Sequence, residues 1–225
     1  MSSKQDIVIA AKCAPQEGVL ADIEKAGLEA VELYLSEGIL KDVCAVIETC
    51  RKFSLRYALH APTDGLSLEG LKALAAAVNA EVIVFHDIYW DDEWPRIIES
   101  LSGLKATICI ENTPGVHEPV KFMRRYSFGR CLDIEHVQME AAGFFEEAFI
   151  SVMREASHIH LTGYTFGSEQ WHTHIHHAPE HNRHVLDLLA GVGYRGMVVS
   201  EARLSLQTLE EFKALNAFAQ DWKRS

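Results

Sequence analysis

Short apolar runs of strand length alternate along the whole chain with segments whose apolar residues recur at helical spacing. This alternation is the strongest constraint on what the chain can become. The strand-like runs, rich in β-branched residues, are Asp6–Lys12, Ala30–Leu35, Arg56–Ala61, Glu81–Asp87, Thr107–Thr113, Arg130–His136, Ser157–Thr162 and Gly196–Glu201. Helix-like segments between them are Gly18–Gly27, Ile39–Phe53, Ser67–Val78, Trp94–Leu101, Val137–Met153, Val185–Ala190 and Leu206–Trp222. Strands that are apolar almost throughout belong in a sheet covered on both faces. The pattern predicts an α/β fold, a (β/α)8 TIM barrel, as one domain over residues 1–225. The competing solution is an open doubly wound sheet. It commonly carries a phosphate fingerprint, and the chain has neither GxGxxG nor GxxxxGK[ST].

A barrel of this kind builds its site at the carboxyl ends of its strands. The third run carries His60 near its end, the fourth His86 and the fifth Glu111. The sixth carries Asp133 and then His136, the seventh His160, and the eighth ends in Glu201. Imidazoles and carboxylates gathered at one mouth suit Zn²⁺, Mn²⁺, Fe²⁺ or Co²⁺, and a cation is the simplest compensation for such clustered charge. One such carboxylate alone is more often a cap for the next helix or an ion-pair partner. Lys12 and Arg203 sit at the ends of the first and eighth runs, where each reads as a substrate-binding group or a rim salt bridge.

The longest connection, Gly163 to His184, is crowded with histidine, and long loops in compact domains are more often functional than accidental. Its HTHIHH segment supplies His172, His174, His176 and His177. His158, His172, His177, His181 and His184 are expected to be supporting or structural. The loop aromatics Tyr89, Trp90, Tyr164, Phe166 and Trp171 are placed to stack on a substrate or to pack the loops.

The remaining composition excludes more than it assigns. A net charge of −11 weakly opposes a broad grip on nucleic acid, so no nucleic-acid partner is expected. No apolar run is long enough to span a bilayer, and the first residues lack a secretory pattern, so no membrane association is expected and the expected compartment is the cytoplasm. The five cysteines are odd in number and form no CxxC pair, which argues against disulfides and a thiolate metal site.

Several local pieces together resemble the xylose-isomerase-like barrel superfamily, which includes endonuclease IV, ketose 3-epimerases and sugar isomerase-like proteins. They are LHAP (Leu59–Pro62), VFHD (Val84–Asp87), IENT (Ile110–Thr113), LDIEH (Leu132–His136), HIHLTG (His158–Gly163) and VSEAR (Val199–Arg203). The resemblance implies up to three metal positions. One would use His60, His86 and Glu111. A second would use Glu111, Asp133, His160 and Glu201, and a third His136, His174 and His176. Epimerase-like members keep mainly the second, where the two glutamates also move protons. The sequence departs from endonuclease IV at His174-Ile175-His176, where that family has Asp-x-His, and lacks room for its DNA-binding loops.

Three functions follow. The first is a metal-dependent isomerase or epimerase of a small sugar-like substrate, working through a metal-stabilised enediolate. Glu111 and Glu201 would be its acid/base pair, His136 would position the substrate, and Lys12, Trp90, Trp171 and Arg203 would bind it. The second is a multi-metal phosphoester hydrolase of the endonuclease IV kind. The third is a non-catalytic metal- or ligand-binding barrel. One to three ions are expected, and short mouth loops leave room for a second copy to cover the site as a homo-oligomer.

Overall fold

The computed structural model describes residues 3–113 and 119–225. Eight parallel strands close into one barrel in chain order: β1 (Ile7–Cys13), β2 (Ala30–Tyr34), β3 (Arg56–His60), β4 (Val82–Phe85), β5 (Thr107–Glu111), β6 (Gly129–Asp133), β7 (Ala156–Leu161) and β8 (Gly196–Ser200). Helices cover the outside: α1 (Glu17–Lys25), α2 (Glu37–Lys41), α3 (Val43–Cys50), α4 (Leu68–Val78), α5 (Trp94–Leu101), α6 (Pro119–Tyr126), α7 (Ile134–Glu140), α8 (Glu146–Met153), α9 (Pro179–Gly191) and α10 (Leu209–Arg224). The expected (β/α)8 barrel is therefore the observed fold. None of the described helices is long and apolar enough to cross a membrane.

The period-2 alternation of strand side chains divides the core in two. Ala10, Ala30, Ala58, Val82, Val84, Cys109, Cys131, Met197 and Val199 fill the barrel interior. Residues between them on the same strands, such as Ile9, Val31, Leu59, Ile83, Ile110 and Val198, pack outward against the helices. Cys109 and Cys131 behave as small apolar fillers, and the described cysteines are all free. One step further along each strand, the inward series continues with polar groups, and these form the floor of the mouth.

Three helical segments differ from their expected extents. Ile39–Phe53 is broken at Asp42, whose backbone (φ −114°, ψ 48°) leaves the helical region and caps α3. Val137–Met153 is two helices, because Ala142 and Gly143 take φ of 52° and 157°. α9 begins at Pro179, six residues before the expected start, with proline at its first turn where a missing N–H costs nothing. Its buried Asn182 donates to the carbonyls of Thr162 and Ile175 at 2.9 and 2.8 Å, tying the long connection to the end of β7.

Candidate metal centre

The sixth strand stops at Asp133, earlier than the apolar run suggested. Asp133 is the N-cap of α7, and its Oδ1 accepts the His136 backbone N–H at 2.9 Å. The Asp-x-x-His spacing is thus a capping geometry that also carries His136 Nδ1 to 3.6 Å from Asp133 Oδ2 and 3.6 Å from Glu111 Oε1. Asn112, just beyond β5, locks the two strand ends together. Its side-chain amide donates to the Asp133 carbonyl at 2.9 Å, and its oxygen accepts the Asp133 N–H at 2.8 Å. The Asn112 carbonyl accepts from His136 Nδ1 at 2.9 Å, which directs Nε2 as the free ring nitrogen.

Glu111 lies at the middle of the mouth and is 3% exposed, so its charge must be met by neighbours rather than water. Its Oε2 is 3.0 Å from His60 Nε2, 3.3 Å from His86 Nε2 and 3.4 Å from His160 Nδ1. His160 Nδ1 is also 3.3 Å from Glu201 Oε2 and 3.9 Å from Asp133 Oδ2. The structure brings Glu111, Asp133, His160 and Glu201 into one group, with His60, His86 and His136 around it.

Two residues below this group change its electrostatics. Glu32, on β2, is fully buried and points into the barrel. Its carboxylate is 2.7 Å from His158 Nε2 and 3.1 Å from His160 Nε2. Lys12, its register partner on β1, is 3.4 Å from Glu32 and 2.9 Å from Glu201. Lys12 is only 6% exposed. The structure places it as an internal counter-ion at the edge of the cleft beside Glu201. Burial works against its charge, but Glu201 and Glu32 outweigh burial and hold it firmly protonated.

The sequence reading missed Glu32 because a single acidic residue inside AVELYL looks like an interruption of an apolar strand. The usable signal was its parity: Glu32 shares the face of Ala30, which lines the interior. Asn112, in the IENT stretch, has a neutral side chain and so carries no metal-ligand signal of its own.

The carboxylates divide sharply. Burial would raise them all. At Glu32 the charges of His160 and Lys12 overcome it and hold the carboxyl well below its ordinary range. At Glu111 the neighbouring His160 and His60 do the same. Asp133 has the opposite fate: burial, with Glu111 and Glu201 adding to it against His136, pushes it up to about 7. The site therefore holds more carboxylate than its resident cations neutralise, and Asp133 is the group that keeps a proton in compensation.

His160 tests whether a metal fits. A neutral imidazole has one N–H and one lone pair. Nε2 faces Glu32, which can only accept, so the N–H belongs there. In that neutral form Nδ1 is a buried lone pair surrounded by three carboxylates. Burial opposes a charge there, but the surrounding anionic groups outweigh it and raise the ring's pKa well above the ordinary value, so that without a cation Nδ1 takes a second proton. Only a second proton or a cation satisfies that position. The separations of 3.3 to 3.9 Å from Nδ1 to the carboxylate oxygens bracket the roughly 3.4 Å edge of a tetrahedron built with metal–ligand distances near 2.1 Å. Glu32 behind His160 reproduces the carboxylate–histidine–metal support common in such sites. The residues fit a divalent ion held by Glu111, Asp133, His160 and Glu201.

His60 shows the same mismatch. Its Nδ1 is 3.2 Å from the Ala61 carbonyl and its Nε2 3.0 Å from Glu111, so either neutral tautomer leaves a lone pair against an acceptor. With His86, whose ring lies 4.9 Å away centroid to centroid, it forms a second group that shares Glu111.

The expected third group is not assembled. Val199 and the following Glu201 face the barrel interior and mouth, so Ser200 between them points outward to the helical layer. His174 Nδ1 is 2.9 Å from Ser200 Oγ, and its Nε2 is 3.1 Å from the Leu206 carbonyl. Both ring nitrogens are engaged outside the barrel wall. His176 turns to Glu211 of α10 at 3.1 Å. His136 stays with Asp133 and Glu111, and the structure does not bring the three histidines together.

A cleft of about 200 Å³ opens beside Glu201, lined by Lys12, Tyr34, Glu201, Arg203, Leu204 and Gln207. Arg203 is exposed at its edge. Trp171 stacks on Tyr164 with ring centroids 4.6 Å apart, which fixes it within its loop, whereas Trp90 is 80% exposed.

No family model and no curated protein sequence matches the chain. Solved structures share its fold. D-allulose 3-epimerase from Methylomonas sp. superposes with a TM-score of 0.67 at 12% identity, covering 96% of this chain and 98% of that one. An L-ribulose 3-epimerase gives 0.62 at 14% identity, over 96% and 94%. Phosphoribosyl anthranilate isomerase from Thermotoga maritima gives 0.58 at 12% identity, over 96% and 99%. These identities establish the barrel, and barrels host many chemistries, so the activity has to be argued from the site.

Proposed function

We propose that the chain is a divalent-metal-dependent isomerase or epimerase acting on a small sugar-like hydroxy-ketone. The observation that carries this reading is the buried His160 Nδ1 enclosed by Glu111, Asp133 and Glu201, a position that a proton or a cation must fill. A divalent ion bound there would act as a Lewis acid toward adjacent carbonyl and hydroxyl oxygens. Glu201, whose side chain is 23% exposed, presents a carboxylate to the cleft and is the group positioned to take a proton from the carbon beside a carbonyl. Glu111, which shares His160 Nδ1 with Glu201, is the second carboxylate of the pair. Lys12 keeps Glu201 ionised, the form able to accept a proton, though a weaker base than a free glutamate: burial opposes its charge, but Lys12 and His160 hold its pKa below the ordinary value. His136 offers a free Nε2 for a substrate hydroxyl, and Arg203 and the loop aromatics border the approach. That 3-epimerases of D-allulose and L-ribulose share the fold agrees with this assignment.

The test is proton exchange at carbon. The Mn²⁺-loaded protein is incubated in D₂O with a panel of ketoses and followed by NMR. The reading requires metal-dependent deuterium incorporation next to the carbonyl of at least one ketose, abolished in Glu201→Gln. Absence of exchange in every ketose would refute it.

The second reading, a phosphoester hydrolase, is favoured by one observation: His60, His86 and Glu111 form a group that shares Glu111 with the first. Two ions so placed suit an in-line displacement at phosphorus. Turnover of bis-(p-nitrophenyl) phosphate, without carbon–hydrogen exchange, would select it.

A further inference from the structure

The histidines His174, His176 and His177 of the long connection do not reach the mouth; all three are gathered at one place outside the barrel. The 3-10 turn Ile175–His177 projects His176 and His177 side by side, with ring centroids 4.5 Å apart. Both Nε2 atoms converge on the same oxygen, Glu211 Oε2, at 3.1 and 2.8 Å. One ligand atom from each of the three residues lies within 4.8 Å of the other two. Glu211 is held there by its own helix, since the N-cap Thr208 hydroxyl accepts its backbone N–H at 3.3 Å. His174 is stacked on His176 at 5.8 Å and 17°, with both its nitrogens bonded, so it acts as a rigid backing for the ring beside it.

We propose that His176, His177 and Glu211 form a second, independent metal site on the outer wall of the barrel, for a borderline divalent ion such as Zn²⁺. Two imidazoles and one carboxylate are a donor set that this class of ion prefers over Mg²⁺ or Ca²⁺. The separations of 3.1 and 2.8 Å are somewhat shorter than the roughly 3.4 Å edge of a four-coordinate sphere, a difference that small side-chain rotations take up on binding. The side chains are 16%, 30% and 25% exposed, so the ligands are partly desolvated while one side stays open to water. An ion there exchanges with solvent and keeps a free coordination position. Its structural effect is a clamp: it fastens the connection between β7 and α9, which borders the mouth, to the first turn of α10.

The site is separate from the mouth, because His174 and Ser200 lie on the helical side of β8. Its test is therefore independent of the proposed chemistry. Metal-stripped full-length protein is titrated with Co²⁺ in wild type, His177→Ala and Glu211→Gln, with cooperative melting as the check of folding. Each variant is expected to lose one equivalent relative to wild type, or to bind it at least about a hundredfold more weakly. A second readout needs no substitution at the site. In ¹⁵N-histidine-labelled Glu111→Gln protein, which disables the mouth, substoichiometric Co²⁺ is expected to broaden the His176 and His177 ring signals first. Equal stoichiometry and affinity in all three proteins would overturn the proposal. So would Co²⁺ that leaves those two rings sharp.

Discussion

Replacing Asp133 with asparagine separates what the mouth costs the fold from what it gives the function. Asp133 is 1% exposed and its carboxyl is pushed up to about 7, mainly by burial, with Glu111 and Glu201 adding to it. In the unfolded chain the same group titrates near 3.9. Between those values the metal-free folded state holds a proton that the unfolded state has released, so stability falls as pH rises from about 4 to 7. At pH 8 the accumulated cost is about 4 kcal/mol, and at pH 4 it is under about 1 kcal/mol. Asparagine does not ionise, and its Oδ1 can still accept the His136 N–H that caps α7. Metal-free Asp133→Asn is therefore expected to melt above metal-free wild type by roughly 10 °C at pH 8, with the gap nearly closed at pH 4. Thermal melts in EDTA across pH 4–8.5 read this directly. Added Mn²⁺ or Zn²⁺ should reverse the order at pH 8, because wild type gains binding energy and the variant lacks one anionic ligand. A variant no more stable than wild type at pH 8 would refute the assignment of Asp133 as a buried, strained carboxyl. So would a gap that does not depend on pH.

Two further substitutions test the layer beneath the ion. Glu32→Gln removes the charged acceptor behind His160 while keeping a similar shape, and should weaken metal binding about 10–100-fold in a competition titration with a chromogenic chelator. Unchanged affinity would show that Glu32 does not support the ligand. Lys12→Met leaves Glu32 and Glu201 without their shared cation, and should destabilise the metal-free protein by about 3–5 kcal/mol in urea unfolding. Added metal should recover more stability in this variant than in wild type, since the ion takes over part of the neutralisation. Equal stability of the two metal-free proteins would contradict the counter-ion role of Lys12.

The barrel was legible because its strands are apolar on both faces and the strand runs recur along the whole chain, with a helical segment readable in every connection but the one between β5 and β6. The ends of helices were less so. Asp133 was readable as a metal-capable residue but not as the N-cap that ends β6, since an aspartate after an apolar run suits either role. α6 (Pro119–Tyr126) is only eight residues long and has three basic residues between its apolar ones, which makes its helical spacing easy to pass over. The residues of the first two candidate groups could be placed because each stands at or next to the carboxyl end of its own strand, and strand geometry alone carries it to the mouth. His174 and His176 could not be placed that way. They lie on a long connection, and their direction is decided by Ser200, Leu206 and Glu211, which belong to distant elements. Glu32 and Lys12 pair only through the β1–β2 register, which spacing along the chain does not reveal.

The account stands on one ion at the centre of the mouth. Crystals of the Zn²⁺-loaded protein, measured on the two sides of the zinc absorption edge, locate it without reference to activity. The account predicts an anomalous peak about 2.0–2.2 Å from His160 Nδ1 and from carboxylate oxygens of Glu111, Asp133 and Glu201. A mouth with no peak, or a peak that leaves His160 Nδ1 uncoordinated, would contradict it.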